Sequence, residues 1–149
     1  MVEISDGSIF DLKADAIVCP VNTVGVMGKG LAKEFKFRYP ECTGPYMLMC
    51  RTYGFAMGEV LIVPVDHRPQ KYVIHFPTKK SWSSPSKFSD VQLGLSQFPT
   101  VLDEQEIRSI GIPALGCGLG GLAWDQVRAV IEDRFKSWNG HVTLFPPQS

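Results

Sequence analysis

Two glycine-rich stretches carry the residues of this chain best suited to holding an anion: Gly25-Val26-Met27-Gly28-Lys29-Gly30 and Gly116-Cys117-Gly118-Leu119-Gly120-Gly121. Each follows an apolar run and precedes a helical pattern, so each is expected to join a buried strand to the first turn of a helix. Glycines let a backbone approach a phosphate closely, and the free N–H groups of the next helix point at it with the helix dipole behind them. One such loop alone reads equally well as a ligand-free turn. Two at equivalent strand ends suit a diphosphate.

Neither stretch is a common nucleotide motif. The first has Gly30 where a P-loop places Ser or Thr, and its gap before Gly28-Lys29 is too short. The second satisfies Gly-x-Gly-x-x-Gly through Gly116, Gly118 and Gly121, but too little chain follows for the rest of a dinucleotide-binding half. Basic residues thicken near Lys29, Lys33, Lys36 and Arg38 and again at Lys79, Lys80 and Lys87. They read either as solvated surface or as a substrate-facing rim. Cys19, Cys42, Cys50 and Cys117 lack Cys-x-x-Cys spacing, which argues against a zinc site or a disulfide framework. No metal and no cofactor are expected.

The elements that must position these loops alternate between strand and helix. Residues 2–5 form a short edge strand and 14–21 a strand covered on both faces. Leu31, Phe35 and Tyr39 mark one face of a helix closed by Pro40, and a second helical segment covers 45–52, ended by Gly54. Strands are expected at 59–65 and 71–76, joined by the turn Asp66-His67-Arg68-Pro69-Gln70, which is too short for a helical crossover and demands an antiparallel or displaced pair. A helix follows over 88–102, with Pro99 its weak point, then a strand at 107–114, a helix at 124–138 and a final strand at 141–145. Pro146 onward reads as a loose tail. The pattern predicts a three-layer α/β/α domain with a mixed, mostly parallel central sheet, spanning 1–149 as one unit.

The 149 residues are 44% hydrophobic and 20% charged, ordinary for one globular core. Fifteen basic and fifteen acidic side chains cancel, so the chain lacks the global positive field that drives non-specific nucleic-acid binding, and any such contact must be local. The start MVEISDGSIF carries Glu3 and no basic lead into an apolar core, so it does not read as a signal peptide. No apolar run approaches the roughly 20 residues of a membrane-spanning helix. A cytoplasmic protein without membrane contact is expected.

Three ordered segments resemble macrodomains: residues 14–32, from Ala14-Asp15-Ala16 through Asn22 to Gly30-Leu31-Ala32; His75-Phe76-Pro77-Thr78-Lys79-Lys80-Ser81-Trp82; and Ile112-Pro113-Ala114-Leu115 running into the second glycine loop. They are similar in particular to the macrodomain of DarG-type antitoxins, which reverse ADP-ribosylation of DNA thymidine by a partner toxin, with a sister resemblance to the terminal ADP-ribose protein glycohydrolase. The resemblance covers about residues 2 to 145. It implies an ADP-ribosyl glycohydrolase binding ADP-ribose and ADP-ribosylated single-stranded DNA, a DarT-type toxin as partner, and a monomer. It also implies ligand contacts from Ser8, Ile9, Asn22, Thr23, Gly28, Lys29, Gly30, Thr78, Gly116, Cys117, Gly118, Leu119, Gly120 and Gly121, with Asn22 facing the distal ribose.

By the same resemblance Lys79 is the catalytic lysine, with Lys80 the adjacent fallback. A lysine attacks the anomeric carbon only when neutral, so its pKa must fall through burial or a like charge, which Lys80 is expected to supply. Without the resemblance both read as solvated loop cations. Trp82 reads either as an exposed packing residue or as a base-stacking one.

Two departures from the family pattern stand out. Gly7-Ser8-Ile9 replaces the Gly-Asp-Leu or Gly-Asp-Ile triplet whose Asp accepts from the adenine amino group, which predicts weaker adenine selectivity. Gly120 replaces the acidic residue of the protein glycohydrolase, as in the DNA-directed relatives, which favours DNA and leaves the general acid unassigned. The chain also stops before the C-terminal toxin-binding region of full antitoxins, as an excised domain or a free-standing enzyme would. The rival readings are a hydrolase of ADP-ribose esters on protein carboxylates and a reader that binds ADP-ribose without turnover.

Overall fold

The computed structural model describes residues 1–148. Its central strand, β2 (Ala16–Asn22), is apolar nearly throughout because both its faces are covered. Ala16 and Val18 belong to one core, Ile17, Cys19 and Val21 to the other, the period-two alternation of a strand between helical layers. The remaining strands are β1 (Val2–Ile4), β3 (Leu61–Pro64), β4 (Tyr72–Lys79), β5 (Ser109–Pro113) and β6 (His141–Phe145), in the spatial order β1-β6-β5-β2-β4-β3. Every pairing is parallel except β3 with β4, the hairpin that the short 66–70 turn requires.

Two helical layers close the three-layer fold. On one face lie α1 (Gly30–Arg38) and α2 (Thr43–Leu48), which runs on as a wider turn, Met49–Tyr53, ended by Gly54 at φ 80°. Phe35 and Tyr39 sit with Tyr46 in that core. On the other face lie α3 (Phe88–Ser96), α4 (Phe98–Glu104) and α5 (Trp124–Phe135), burying Val91, Leu95, Phe98 and Leu102 against Val127, Ile131 and Phe135.

Three sequence expectations shift. The helix foreseen over 88–102 is two helices broken at Gln97, with Pro99 in the first turn of the second, where its missing N–H costs nothing. The helix foreseen to 138 stops at Phe135, and Trp138 turns back to donate Nε1–H to Asp103 Oδ1 at 2.8 Å. Of the tail foreseen after 145, Ser149 lies outside the described residues; because β6 is parallel to β5, Pro146, Pro147 and Gln148 leave the sheet at the edge where the cleft described below opens, and they line it. Among the described residues no helix is long and apolar enough to cross a membrane.

One buried polar group couples the fold to pH. The His75 ring is fully buried, stacked on Tyr46 with centroids 5.7 Å apart and planes 12° from parallel. Its Nδ1 lies 3.2 Å from Leu61 O, so Nδ1 donates, while Nε2 has no partner among the described residues. Burial pulls this imidazole down to about 4. The folded protein therefore holds the proton less readily than the unfolded chain, whose histidine titrates near 6.5. The contribution is complete above about 6.5 and drains away as pH falls toward 4. Urea unfolding should show about 2 kcal/mol less stability at pH 5 than at pH 7 from this residue, and His75→Phe should remove that difference. A wild type equally stable at both pH values would show that His75 does not hold the fold in this way.

Candidate active site: a cleft between two glycine loops

Because β2, β4, β5 and β6 run parallel, their carboxyl ends share one edge of the sheet, the edge at which open α/β sheets bind ligands. The segments leaving these four ends, with the one leaving β1, which is parallel to β6, enclose a cleft of about 930 Å³, at the upper end of the range for small-molecule sites.

The first loop is shaped by Asn22, the last residue of β2. Its Oδ1 accepts from the amides of Val24, Gly25 and Val26 at 3.1, 3.1 and 3.3 Å, and from the Tyr46 hydroxyl at 2.8 Å, while Nδ2 donates to Val26 O at 2.7 Å. Tyr46 also donates to Asn22 O at 2.7 Å. The curl needs φ 88° at Gly25, which a side chain would strain. It carries Gly28 and Lys29 over the cleft and into α1, whose first amides have no intrahelical partner. Thr23 turns outward, its amide and hydroxyl donating to Lys80 O at 3.2 and 2.9 Å, which ties the loop to the end of β4.

The second loop is pinned from inside and open outside. Gly116 O accepts from Leu122 N at 2.9 Å, Gly121 N donates to Gly118 O at 3.2 Å, and Gly120 O accepts from Ser86 N at 3.0 Å. No backbone hydrogen bond among the described residues starts at Gly118, Leu119 or Gly120, so three successive amides stand free. Leu119 reaches across to the other loop: a Cβ at Gly30 would lie 3.3 Å from its Cδ1. The loops therefore touch above the cleft, although Leu119 is 66% exposed.

Gly118 and Gly120 differ sharply. A Cβ at Gly118 would meet nothing within 4 Å, whereas one at Gly120 would overlap Ser86 Oγ and lie 2.5 Å from Gly116 O. Ser86 is 7% exposed and its hydroxyl has no partner among the described residues. Its position gives a physical reason for glycine at 120.

At the open end of the cleft, half-buried Lys79 ends β4 and points its Nζ to Trp82 O at 3.2 Å. Lys29 Nζ sits 5.7 Å from the centroid of the Trp82 ring. At the other end, Ser8 and Ile9 open a 3-10 turn, Ile9–Asp11, in which Ser8 Oγ accepts from Phe10 N at 3.3 Å. Asp6 lines the same wall.

With that geometry in place, comparison with known proteins is decisive: the Macro domain family model matches residues 18–131. The chain belongs to the macrodomain family. It is 36% identical to a DNA ADP-ribosyl glycohydrolase of Mycobacterium tuberculosis over 99% of its own length and 42% of that protein's. The solved macrodomain of Mycobacterium tuberculosis DarG superposes with a TM-score of 0.95, 35% identity and 99% of both chains covered. A structure of Thermosipho africanus DarTG in complex with ADP-ribose matches with a TM-score of 0.92 at 28% identity, covering 98% of this chain and 41% of that one. The chain thus spans about two fifths of the length of the curated relatives it matches.

Of the residues singled out from the sequence, the macrodomain cleft brings together Ser8, Ile9, Asn22, Gly28, Lys29, Gly30, Thr78, Lys79, Gly116, Gly118, Leu119 and Gly120. Four lie off its wall. Thr23 is a tie to Lys80. Gly121, at φ 83°, closes the second loop. Cys117 donates to Leu115 O at 3.5 Å, and burial pushes its thiol up to about 11, so it stays protonated at neutral pH. Lys80 is exposed, outside the cleft, and contributes its carbonyl; the charge expected to act on Lys79 sits in water, where screening weakens it. Asn22 lines the cleft, but its Oδ1 is saturated, and a single N–H of its amide remains for a ligand. Sequence reasoning missed Asp6, Phe10 and Ser86, for which spacing carried no signal, and Pro146 to Gln148, whose place follows only once β6 is known to be parallel.

The two glycines separate binding from folding. Gly118→Glu should leave stability within about 0.5 kcal/mol, since its side chain enters free space, and should abolish anion binding by bulk and charge. Gly120→Ala should cost about 1–3 kcal/mol by overpacking onto Ser86 and Gly116. Thermal melts with and without ADP-ribose read both, and a Gly118→Glu variant that keeps its affinity would move the ligand elsewhere.

Proposed function

We propose that this macrodomain is a glycohydrolase that removes ADP-ribose from thymidine in single-stranded DNA, with Lys79 as the catalytic amine. The observation that carries the reading is the placement of Lys79 in the same cleft as two glycine loops with free amides. The amides and Lys29 hold the diphosphate, the amides at no cost in side-chain entropy. The adenosine half extends toward Ser8, Ile9 and Pro146, and the distal ribose toward Lys79. Likeness over 99% of the chain to a DNA ADP-ribosyl glycohydrolase supports the DNA substrate. So does Gly120, where the space for an acidic side chain is taken by Ser86 and Gly116. A relative that fuses a DNA ADP-ribosyl transferase to a DNA ADP-ribosyl glycohydrolase supports a DarT-type enzyme as the source of the modification.

In the chemical step the Lys79 nitrogen, its proton given to solvent, forms a bond to the anomeric carbon, and the bond from that carbon to the thymine nitrogen breaks. The electron pair passes to the base, which takes up a proton; water then displaces the lysine, releasing ADP-ribose and restoring the amine. Lys80 has no part in this sequence, since it faces solvent outside the cleft.

ADP-ribose at one hundred times its Kd should stabilise the protein by about 2.7 kcal/mol. Lys79→Ala should lower single-turnover release from thymidine-ADP-ribosylated oligonucleotide by roughly a thousandfold or more, while calorimetric affinity for ADP-ribose stays within about threefold. Lys80→Ala should remain active. Full activity of Lys79→Ala overturns the lysine mechanism. Release from glutamate-ADP-ribosylated protein with none from DNA assigns the enzyme to protein carboxylates, and binding without release from either assigns it as a reader.

A further inference from the structure

ADP-ribose accounts for the glycine loops and for Lys79 but leaves one prominent side chain of the cleft mouth unexplained. Trp82 is 55% exposed, an unusual state for the largest apolar side chain. It stands near the tip of a turn held by three contacts: Ser84 N donates to Ser81 O at 3.2 Å, the Ser81 and Ser84 hydroxyls are 2.6 Å apart, and those of Ser81 and Ser83 are 3.3 Å apart. The indole is thus presented on a fixed turn, with the Lys29 ammonium 5.7 Å from its centroid and over half of its surface open. Lys79 Nζ bonds the main-chain oxygen of the same residue, which places the proposed reacting amine beside the base of this aromatic.

We propose that Trp82 is the stacking platform for a nucleobase flanking the modified nucleotide, an inference that rests on the DNA reading above. A strand leaving the cleft past Lys79 runs over the Trp82 turn, and the cations around that turn, Lys29, Lys80 and Lys87, are all exposed. Of the cleft's two carboxylates, Asp6 and Glu34, the latter is engaged by Arg38 at 3.2 Å. An open aromatic with one cation over its ring and two exposed lysines close by in sequence matches a polymer that alternates flat bases with phosphates, and base stacking on an aromatic tolerates any sequence. A peptide offers neither feature at regular spacing. The local cluster also reconciles DNA binding with a chain of zero net charge.

The test compares wild type, Trp82→Ala and Trp82→Phe on three substrates: ADP-ribosylated thymidine mononucleotide, an ADP-ribosylated oligonucleotide, and that oligonucleotide with abasic sites flanking the modified thymidine. The wild type should prefer the oligonucleotide. Trp82→Ala should lower the oligonucleotide-to-mononucleotide ratio of kcat/KM about tenfold, Trp82→Phe should restore most of it, and flanking abasic sites should reproduce the loss in the wild type without a further loss in Trp82→Ala. Truncating the indole leaves the Lys79 bond to the main chain, and thermal melts confirm that each variant is folded. An active wild type whose ratio ignores both Trp82→Ala and the abasic sites overturns the platform alone. An equal loss on mononucleotide and oligonucleotide overturns it as well and assigns Trp82 to the ADP-ribose site. A wild type that releases nothing from any DNA overturns the functional reading and this inference together; in that case a Trp82→Ala loss on modified protein identifies a protein partner for the same surface.

Discussion

Asn22 Oδ1 gathers three successive backbone amides and a tyrosine hydroxyl at the end of the central strand. Turning three amides inward at residues 24–26 forces the chain to curl, and the curl carries Gly28, Lys29 and Gly30 back over the sheet edge. The loop needs such an anchor, because glycine-rich backbone loses more entropy on ordering than any other. The buried Tyr46 anchors the arrangement from below, and His75 is stacked beneath Tyr46. A polar network of this kind is rigid when fully satisfied. Around Asn22 it is satisfied, apart from one amide hydrogen left toward the cleft.

The remaining walls depend on strand direction. Five parallel strands deliver five exit segments to one edge, and cross-ties then set their spacing. Thr23 joins the first loop to the end of β4 through Lys80 O, Ser86 N joins the segment after β4 to the second loop through Gly120 O, and Leu119 spans from the second loop to Gly30. Each tie consumes groups that would otherwise be candidates for ligand contact. Thr23 and Lys80 stand in the right sequence neighbourhood for that reason while lying off the cleft.

Legibility from sequence followed the same division. The strands and helices were readable because burial imposes periodicity: β2 alternates between two cores, and α5 repeats Val127, Ile131 and Phe135 on one face. The glycine loops were readable because few residues other than glycine fit their backbone. What was hidden depended on side-chain direction at strand ends and on long-range register. Lys79 and Lys80 are adjacent in sequence, yet one lines the cleft and the other faces water. Nothing local announces that Ser86 packs under Gly120, or that residues after β6 return to the site.

The construction also explains why binding and chemistry can vary separately on this fold. Apart from Lys29, the groups assigned to the diphosphate are main-chain amides, which no substitution removes short of filling the cleft or breaking the loop. Side chains are left free to differ at the open end, where Lys79, Lys29 and Trp82 meet. There residue 120 of the second loop contributes no side chain, because Ser86 and Gly116 occupy the space beside it. The proposed reacting group comes from β4. Its last residue is Lys79, and the parallel register of β4 with β2 sets that residue beside Asn22, between the first glycine loop and the aromatic turn at the mouth.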